Sequence, residues 1–261
     1  MPSTKMSAYL SISPPACYLL LGSLPLLVLS EYKSRSYYGT ALFKMLSSAA
    51  FLSGPLLTSM DWTPYRRLIT IGLLFSMLGD FFLIPSRGEF FDSGSKSQER
   101  QVPISFHLGV VAFAAAHIAY IIAFLRDARE NSWGVFITVF IATLLLAKWL
   151  GVIYPPSHSS TGVNVLDLAI AKDMKPLVFI YAVIISLMFA AASSTTPLTI
   201  SSSWVYQRVL GAGMFVVSDI FVAVTAFRRY TAPVQRGWVQ IAVGYGLYFW
   251  GQMIIAGMVE A

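Results

Sequence analysis

The sequence predicts an all-α fold, a polytopic bundle of membrane-spanning helices. Composition and spacing point to it. Of 261 residues, 56% are hydrophobic and only 11% charged, where soluble domains carry about 25% charge, and mean hydropathy is +0.68. The apolar residues fall into eight stretches, near residues 15–30, 39–59, 67–85, 104–125, 133–154, 176–194, 203–227 and 238–258. Each approaches the roughly 17 to 25 residues that a spanning helix needs.

The first span follows Pro14–Pro15 and is the shortest, interrupted by Gly22 and Pro25; with no small-residue cleavage site behind it, it reads as retained. The second runs from Gly39 after "SEYKSRS", and the third follows "SMDWTPYRR". A polar loop, "SRGEFFDSGSKSQERQ", precedes the fourth, and "RDAREN" separates the fourth from the fifth. "PPSHSSTGVN" with "AKDMKP" leads into the sixth, "SSTTP" into the seventh and "RRYTAPVQRG" into the eighth. These breaks carry the turn formers and charges that end apolar segments. No loop is long enough for a separate soluble domain, so the expectation is one transmembrane domain over residues 1–261. A four-plus-four internal repeat is a further expectation, because "LGDFFLI" in the third span and "VSDIFVA" in the seventh share a small-Asp-apolar-Phe pattern about 139 residues apart.

The net charge of +6 does not indicate nucleic acid, since no basic stripe or interleaved aromatic platform lies outside the apolar segments. It reads as membrane-flanking Lys and Arg. The connections after spans one, three, five and seven hold ten: Lys33, Arg35, Arg87, Lys96, Arg100, Lys172, Lys175, Arg228, Arg229 and Arg236. The opposite side holds five: Lys5, Arg66, Arg67, Arg126 and Arg129. The positive-inside bias therefore predicts cytosolic odd-numbered connections and both termini across the membrane, with the endoplasmic reticulum or another endomembrane as the expected location. A single Cys17 excludes an internal disulfide framework and any Cys-x-x-Cys metal site.

The informative residues are polar ones inside the spans. Lys44 lies about five residues into the second span, Asp80 about five before the end of the third, Asp219 about eight before the end of the seventh and Lys148 about six before the end of the fifth. At about 1.5 Å per residue, all four fall in one half of the membrane. His117 sits near the middle of the fourth span, and Gln252 lies deeper in the eighth. Charge at such depth is costly unless paired or wetted, so a common interior pocket is expected. Plainer readings stand beside this one. Lys44 and Lys148 are near enough to an interface to snorkel, and His117 in "AAAHIAY" fits a helix-to-helix hydrogen bond. Tyr120, Tyr181, Tyr245 and Tyr248 fit packing or interfacial aromatics, and Gly72, Gly79, Gly109, Gly211 and Gly213 fit close helix packing.

Several intramembrane chemistries are excluded. Aspartyl intramembrane proteases place one Asp in Gly-x-Gly-Asp, and here Met77-Leu78-Gly79-Asp80 lacks the first Gly. Three scattered His and one Cys are a poor zinc set, and Gly-x-Ser-x-Gly is missing. Two classes remain: hydrolysis through an oxocarbenium-type cation, and proton-coupled transport. A non-catalytic receptor is a third, disfavoured by eight rather than seven predicted spans.

The chain resembles the YhhN-like lysoplasmalogenase family of eight-helix membrane proteins. The resemblance rests on "FKMLSSAAF", "GLLFSMLGDFFLI", "FHLGVVAFAAAHIAY", "RVLGAGMFVVSDIFVAV" and "YGLYFWGQMIIA", in order over about residues 40 to 256. It departs at Met45, where a Pro is expected, and in a long loop from Ser86 to Val102. What it implies is hydrolysis of the vinyl ether bond of a lysophospholipid, without cofactor or metal, among membrane lipids. That reaction calls for a protonated carboxyl and a carboxylate, the division of labour that glycosidases use. Asp80 and Asp219 are the expected catalytic pair, sharing a proton, with neither assigned as the acid. His117 is expected to orient or relay, Lys44 to tune the carboxyls or meet phosphate, and Tyr120, Ser218 and Gln252 to support. Arg228 and Arg229 either hold the lipid phosphate or anchor the span.

Overall fold

The computed structural model describes residues 10, 12–57, 61–91, 103–154, 164–198, 206–228 and 237–259. Eight long helices run through them: α1 (Pro14–Tyr32), α2 (Tyr37–Leu57), α3 (Pro64–Phe82), α5 (Ile104–Arg126), α6 (Trp133–Leu150), α7 (Lys175–Ser194), α8 (Gln207–Phe227) and α9 (Trp238–Gly257). Between α3 and α5 lies a short helix, α4 (Arg87–Phe91). Seven of the long helices have the length and apolar composition to cross a membrane. The eighth, α3, is as long as α1 but carries Arg66, Arg67 and Asp80. It shields Arg66 and Asp80 between its neighbours. The chain is an integral, multi-pass membrane protein.

Local signals set the helix ends. Prolines occupy the first turns of α1, α3 and α7, where a missing N–H costs nothing. Thr63 caps α3 by accepting the Arg66 N–H at 3.2 Å, so α3 starts three residues before the expected Arg67. Gly151 adopts φ 89° at the end of α6 and stops it short of the expected residue 154. A small antiparallel pairing of β1 (Ala128–Asn131) with β2 (Thr195–Pro197), not expected from the sequence, ties the end of α5 to the end of α7.

Contacts between successive helices, α2 to α3, α5, α7, α8, α9 and back to α2, close a ring of six. α1 packs outside against α2 and α9, and α6 outside against α7. α6 buries little beyond Thr143, as befits a helix whose other faces meet lipid. The two halves are built alike: α3 packs on α5 as α8 does on α9, and α1 on α2 as α6 does on α7. The corresponding glycines agree. Gly72 of α3 lies under the Tyr120 ring, and Gly211 of α8 under Ile255; Gly109 of α5 meets Leu83, and Gly244 of α9 meets Phe221. These matched contacts pair Asp80 with Asp219, Phe113 with Tyr248 and His117 with Gln252.

The end of the ring that holds the start of α3 is sealed by two buried arginines. Arg66 Nε donates to the Pro55 carbonyl at 3.1 Å, satisfying the end of α2. Arg208 pairs with Asp127 and lies over the rings of Tyr65 and Phe124, at 5.3 and 5.5 Å from their centroids. Polar groups placed at the opposite end of the helices therefore form a separate cluster.

Candidate active site

All six ring helices turn side chains into that cluster. Lys44 and Ser48 share a face of α2 because they are four residues apart, and both meet Asp80 at the end of α3. Lys44 Nζ stands 3.7 Å from Asp80 Oδ1. Ser48 and Tyr248 each donate to Asp80 Oδ2 at 2.7 Å. Asp80 is 2% exposed, so a carboxylate sealed from water is held by one cation and two hydroxyls. Donors on both oxygens make it an acceptor only.

Asp219 has a simpler setting. It is half-buried, and among the described residues it takes one hydrogen bond, from Tyr181 to Oδ2 at 2.6 Å. Its Oδ1 is left open. Among the described residues the two carboxylates share no hydrogen-bonding partner. Beside Asp80 stands a wall of rings, Phe113, Phe215 and Tyr248, with Phe215 5.3 Å from Tyr248 and 6.2 Å from Phe113 between centroids. Phe113 packs against Gly79, next to Asp80, where a Cβ would collide with the ring.

His117 lies at the middle of this wall, its ring 4.5 Å from Phe215 edge-on and 5.6 Å from Tyr181. It is fully buried, and neither ring nitrogen has a hydrogen-bond partner among the described residues. Gln252 is the opposite case. Its Oε1 accepts from Tyr120 at 2.8 Å and its Nε2 donates to Ser76 at 2.9 Å, while Ser76 and Tyr120 close the triangle at 3.3 Å. This satisfied network lies about one helical turn from Asp80 and fixes α3, α5 and α9 against one another.

The remaining expected residues lie elsewhere. Lys148 is exposed in the last turn of α6 and does not enter the cluster, because α6 is an outer helix. Ser218 is buried but donates to the Phe215 carbonyl of its own helix at 2.7 Å. Arg228 is exposed just past α8, where its backbone pairs with Leu168, and Arg229 lies outside the described residues. Ser48, Tyr181 and Tyr248 are site residues that sequence reasoning did not single out as such. Their signals were positional: Ser48 is one turn from Lys44, and Tyr248 one turn from Gln252.

The YhhN family matches over residues 39–259. A relative from Dictyostelium discoideum, described as a lysoplasmalogenase homolog, is 29% identical over 216 residues, covering 74% of this chain. The chain spans 63% of that relative's length. No solved structure matches. The family match takes in all six helices that carry the buried site, and the chain belongs to the YhhN family.

Proposed function

We propose that the protein is an intramembrane hydrolase that cleaves the vinyl ether bond of lysoplasmalogens, giving a fatty aldehyde and a glycerophospho-base. One observation carries the reading: inside one ring of membrane helices lie two carboxylates, one ion-paired and one with an open oxygen, linked through the rings of Tyr248, Phe215, His117 and Tyr181. The name of the Dictyostelium discoideum relative supports the substrate class.

The two settings suit two roles. Asp219, through its open Oδ1, gives a proton to the alkene carbon remote from the ether oxygen. The electron pair of the double bond forms the new C–H bond, and the carbon attached to oxygen becomes an oxocarbenium centre. Aromatic faces attract a cation, and the rings of Phe113, Phe215 and Tyr248 line its position. Asp80, beside those rings, supplies the fixed negative charge. Water adds to the oxocarbenium carbon and its proton returns to Asp219; the hemiacetal then passes its O–H proton to the ether oxygen as that C–O bond breaks, releasing aldehyde and a glycerol hydroxyl. One water is consumed, and the proton count closes. Preorganised charge of this kind is effective where water is excluded.

The test is aldehyde release, measured by mass spectrometry, from alkenyl, alkyl and acyl lysolipids presented to purified protein. Asp219→Asn is expected to lose roughly 10²- to 10⁴-fold in rate, the usual worth of a general acid, and Asp80→Asn to lose activity while still inserting. Full activity in either variant would sink the two-carboxylate mechanism. Proton-driven solute flux in liposomes with no aldehyde formed would instead favour a carrier using the same carboxylates.

A further inference from the structure

We propose that His117 reads a hydroxyl of the ligand, and that the half of the site formed by His117, Tyr181 and Asp219 holds the free hydroxyl of a lysolipid glycerol; this rests on the hydrolase reading above. Asp80 and Asp219 occupy corresponding places, as do Gln252 and His117, and Tyr248 and Phe113, by the matched helix contacts. In one half these groups have partners: Gln252 uses its amide oxygen on Tyr120 and its nitrogen on Ser76, and Tyr248 reaches Asp80. In the other half the same positions leave polar capacity unused. Phe113 has no hydroxyl to give, Asp219 keeps an open oxygen, and both nitrogens of a fully buried His117 are unpartnered. The Phe113 carbonyl, one turn back, lies near the ring but outside hydrogen-bonding geometry.

Buried polar groups without partners are uncommon and point to something that completes them. The chemistry of the gap selects what that is. A neutral imidazole presents one donor and one acceptor. A phosphate only accepts, an ammonium only donates, and an alkyl chain does neither. A hydroxyl does both, and it needs no counter-cation; Lys44, the buried cation of the cluster, is already on Asp80. An ether lipid acylated at that hydroxyl would leave His117 orphaned and bring an ester where an O–H belongs.

The experiment separates this from the hydrolysis itself. A saturated 1-O-alkyl lysophospholipid, which has no vinyl ether to cleave, and its 2-deoxy counterpart are titrated into the full-length protein in nanodiscs, alongside aldehyde release from the matching alkenyl pair. Wild-type protein is expected to bind the hydroxyl form at least ~10-fold more tightly, because its absence leaves a buried group unpaired. His117→Phe is expected to bring the ratio to within about twofold, and His117→Gln, which keeps a donor and an acceptor, to restore part of it. Equal binding of the two analogues by wild type, or an unchanged ratio in both variants, overturns the proposal. So does an equal rate loss on both alkenyl substrates with the binding ratio intact, which would mean that His117 holds the attacking water. If no aldehyde forms but the hydroxyl preference depends on His117, the hydrolase reading fails and this site stands. Should His117→Phe not fold, His117→Gln and the wild-type ratio decide.

Discussion

Replacing Tyr248 by Phe removes one oxygen and tests whether Asp80 must be held by donors. The hydroxyl donates to Asp80 Oδ2 at 2.7 Å in a sealed interior, with Ser48 as the other hydroxyl and Lys44 on the second oxygen. The ring itself packs against Phe215 at 5.3 Å, Phe249 at 4.8 Å and Phe113 at 5.8 Å, and none of these contacts involves the oxygen. Cavity formation is therefore small, and the cost is that of one hydrogen bond to a charged group, about 1.5–3 kcal/mol. If that donor also keeps Asp80 placed for the cation, the same energy corresponds to roughly a 10- to 150-fold fall in kcat/KM, at about 1.4 kcal/mol per tenfold. Ser48→Ala is expected to cost less, since the Ser48 hydroxyl is also within 3.1 Å of the Lys44 carbonyl and is shared. Thermal unfolding in detergent and aldehyde release report the two quantities. Tyr245→Phe, on the same helix as Tyr248, severs a bond to Glu31 of α1 at 2.6 Å and is the control expected to leave aldehyde release unchanged. A Tyr248→Phe protein with wild-type stability and wild-type turnover would refute the claim that Asp80 is fixed by its donors.

Two further substitutions test the packing around the site. Lys44→Met strands a buried carboxylate and is expected to cost about 3–5 kcal/mol; adding Asp80→Asn should recover part of it in unfolding measurements, and a double variant no more stable than Lys44→Met would count against the pair. Gly72→Ala places a methyl group in the Tyr120 ring and is expected to cost about 1–3 kcal/mol by overpacking, read as a lower unfolding temperature; an unchanged midpoint would show that Tyr120 is not locked by α3.

The architecture was legible because lipid leaves few options. A chain with span-length apolar runs and turn formers between them must be helical there, since lipid satisfies no backbone group. Eight long helices followed, seven of them apolar enough to cross a membrane. Their ends moved where a cap overruled hydropathy, as at Thr63 and Gly151. α4 and the β1–β2 pairing were illegible because they are too short to have a period. Depth along the helices predicted Lys44, Asp80, His117 and Gln252 as interior, and the structure buries all four. Rotation about each axis was not predictable. It depends on which neighbour a helix meets, and for that reason Lys148 turned out on an outer helix while Tyr181 and Tyr248 reached the carboxylates. Arg208 escaped notice for the same reason: its partner, Asp127, is 81 residues away.

A duplicated bundle supplies two carboxylates at matching depth, but the hydrolysis proposed for them requires that they differ. The difference is small in sequence and large in setting. On α2 a Lys and a Ser reach Asp80, whereas on α7 it is Tyr181 that reaches Asp219. On α9 a Tyr spans the ring to Asp80, whereas its counterpart on α5, Phe113, has no hydroxyl to send. Three side chains thus convert one carboxylate into a fixed charge and leave the other with an open oxygen. Restoring the symmetry has a definite consequence. Phe113→Tyr puts a hydroxyl on the ring that packs against Gly79 and Phe215, at the place corresponding to Tyr248. If the chemistry depends on unequal carboxylates, completing the second half in the image of the first removes the function while keeping the fold.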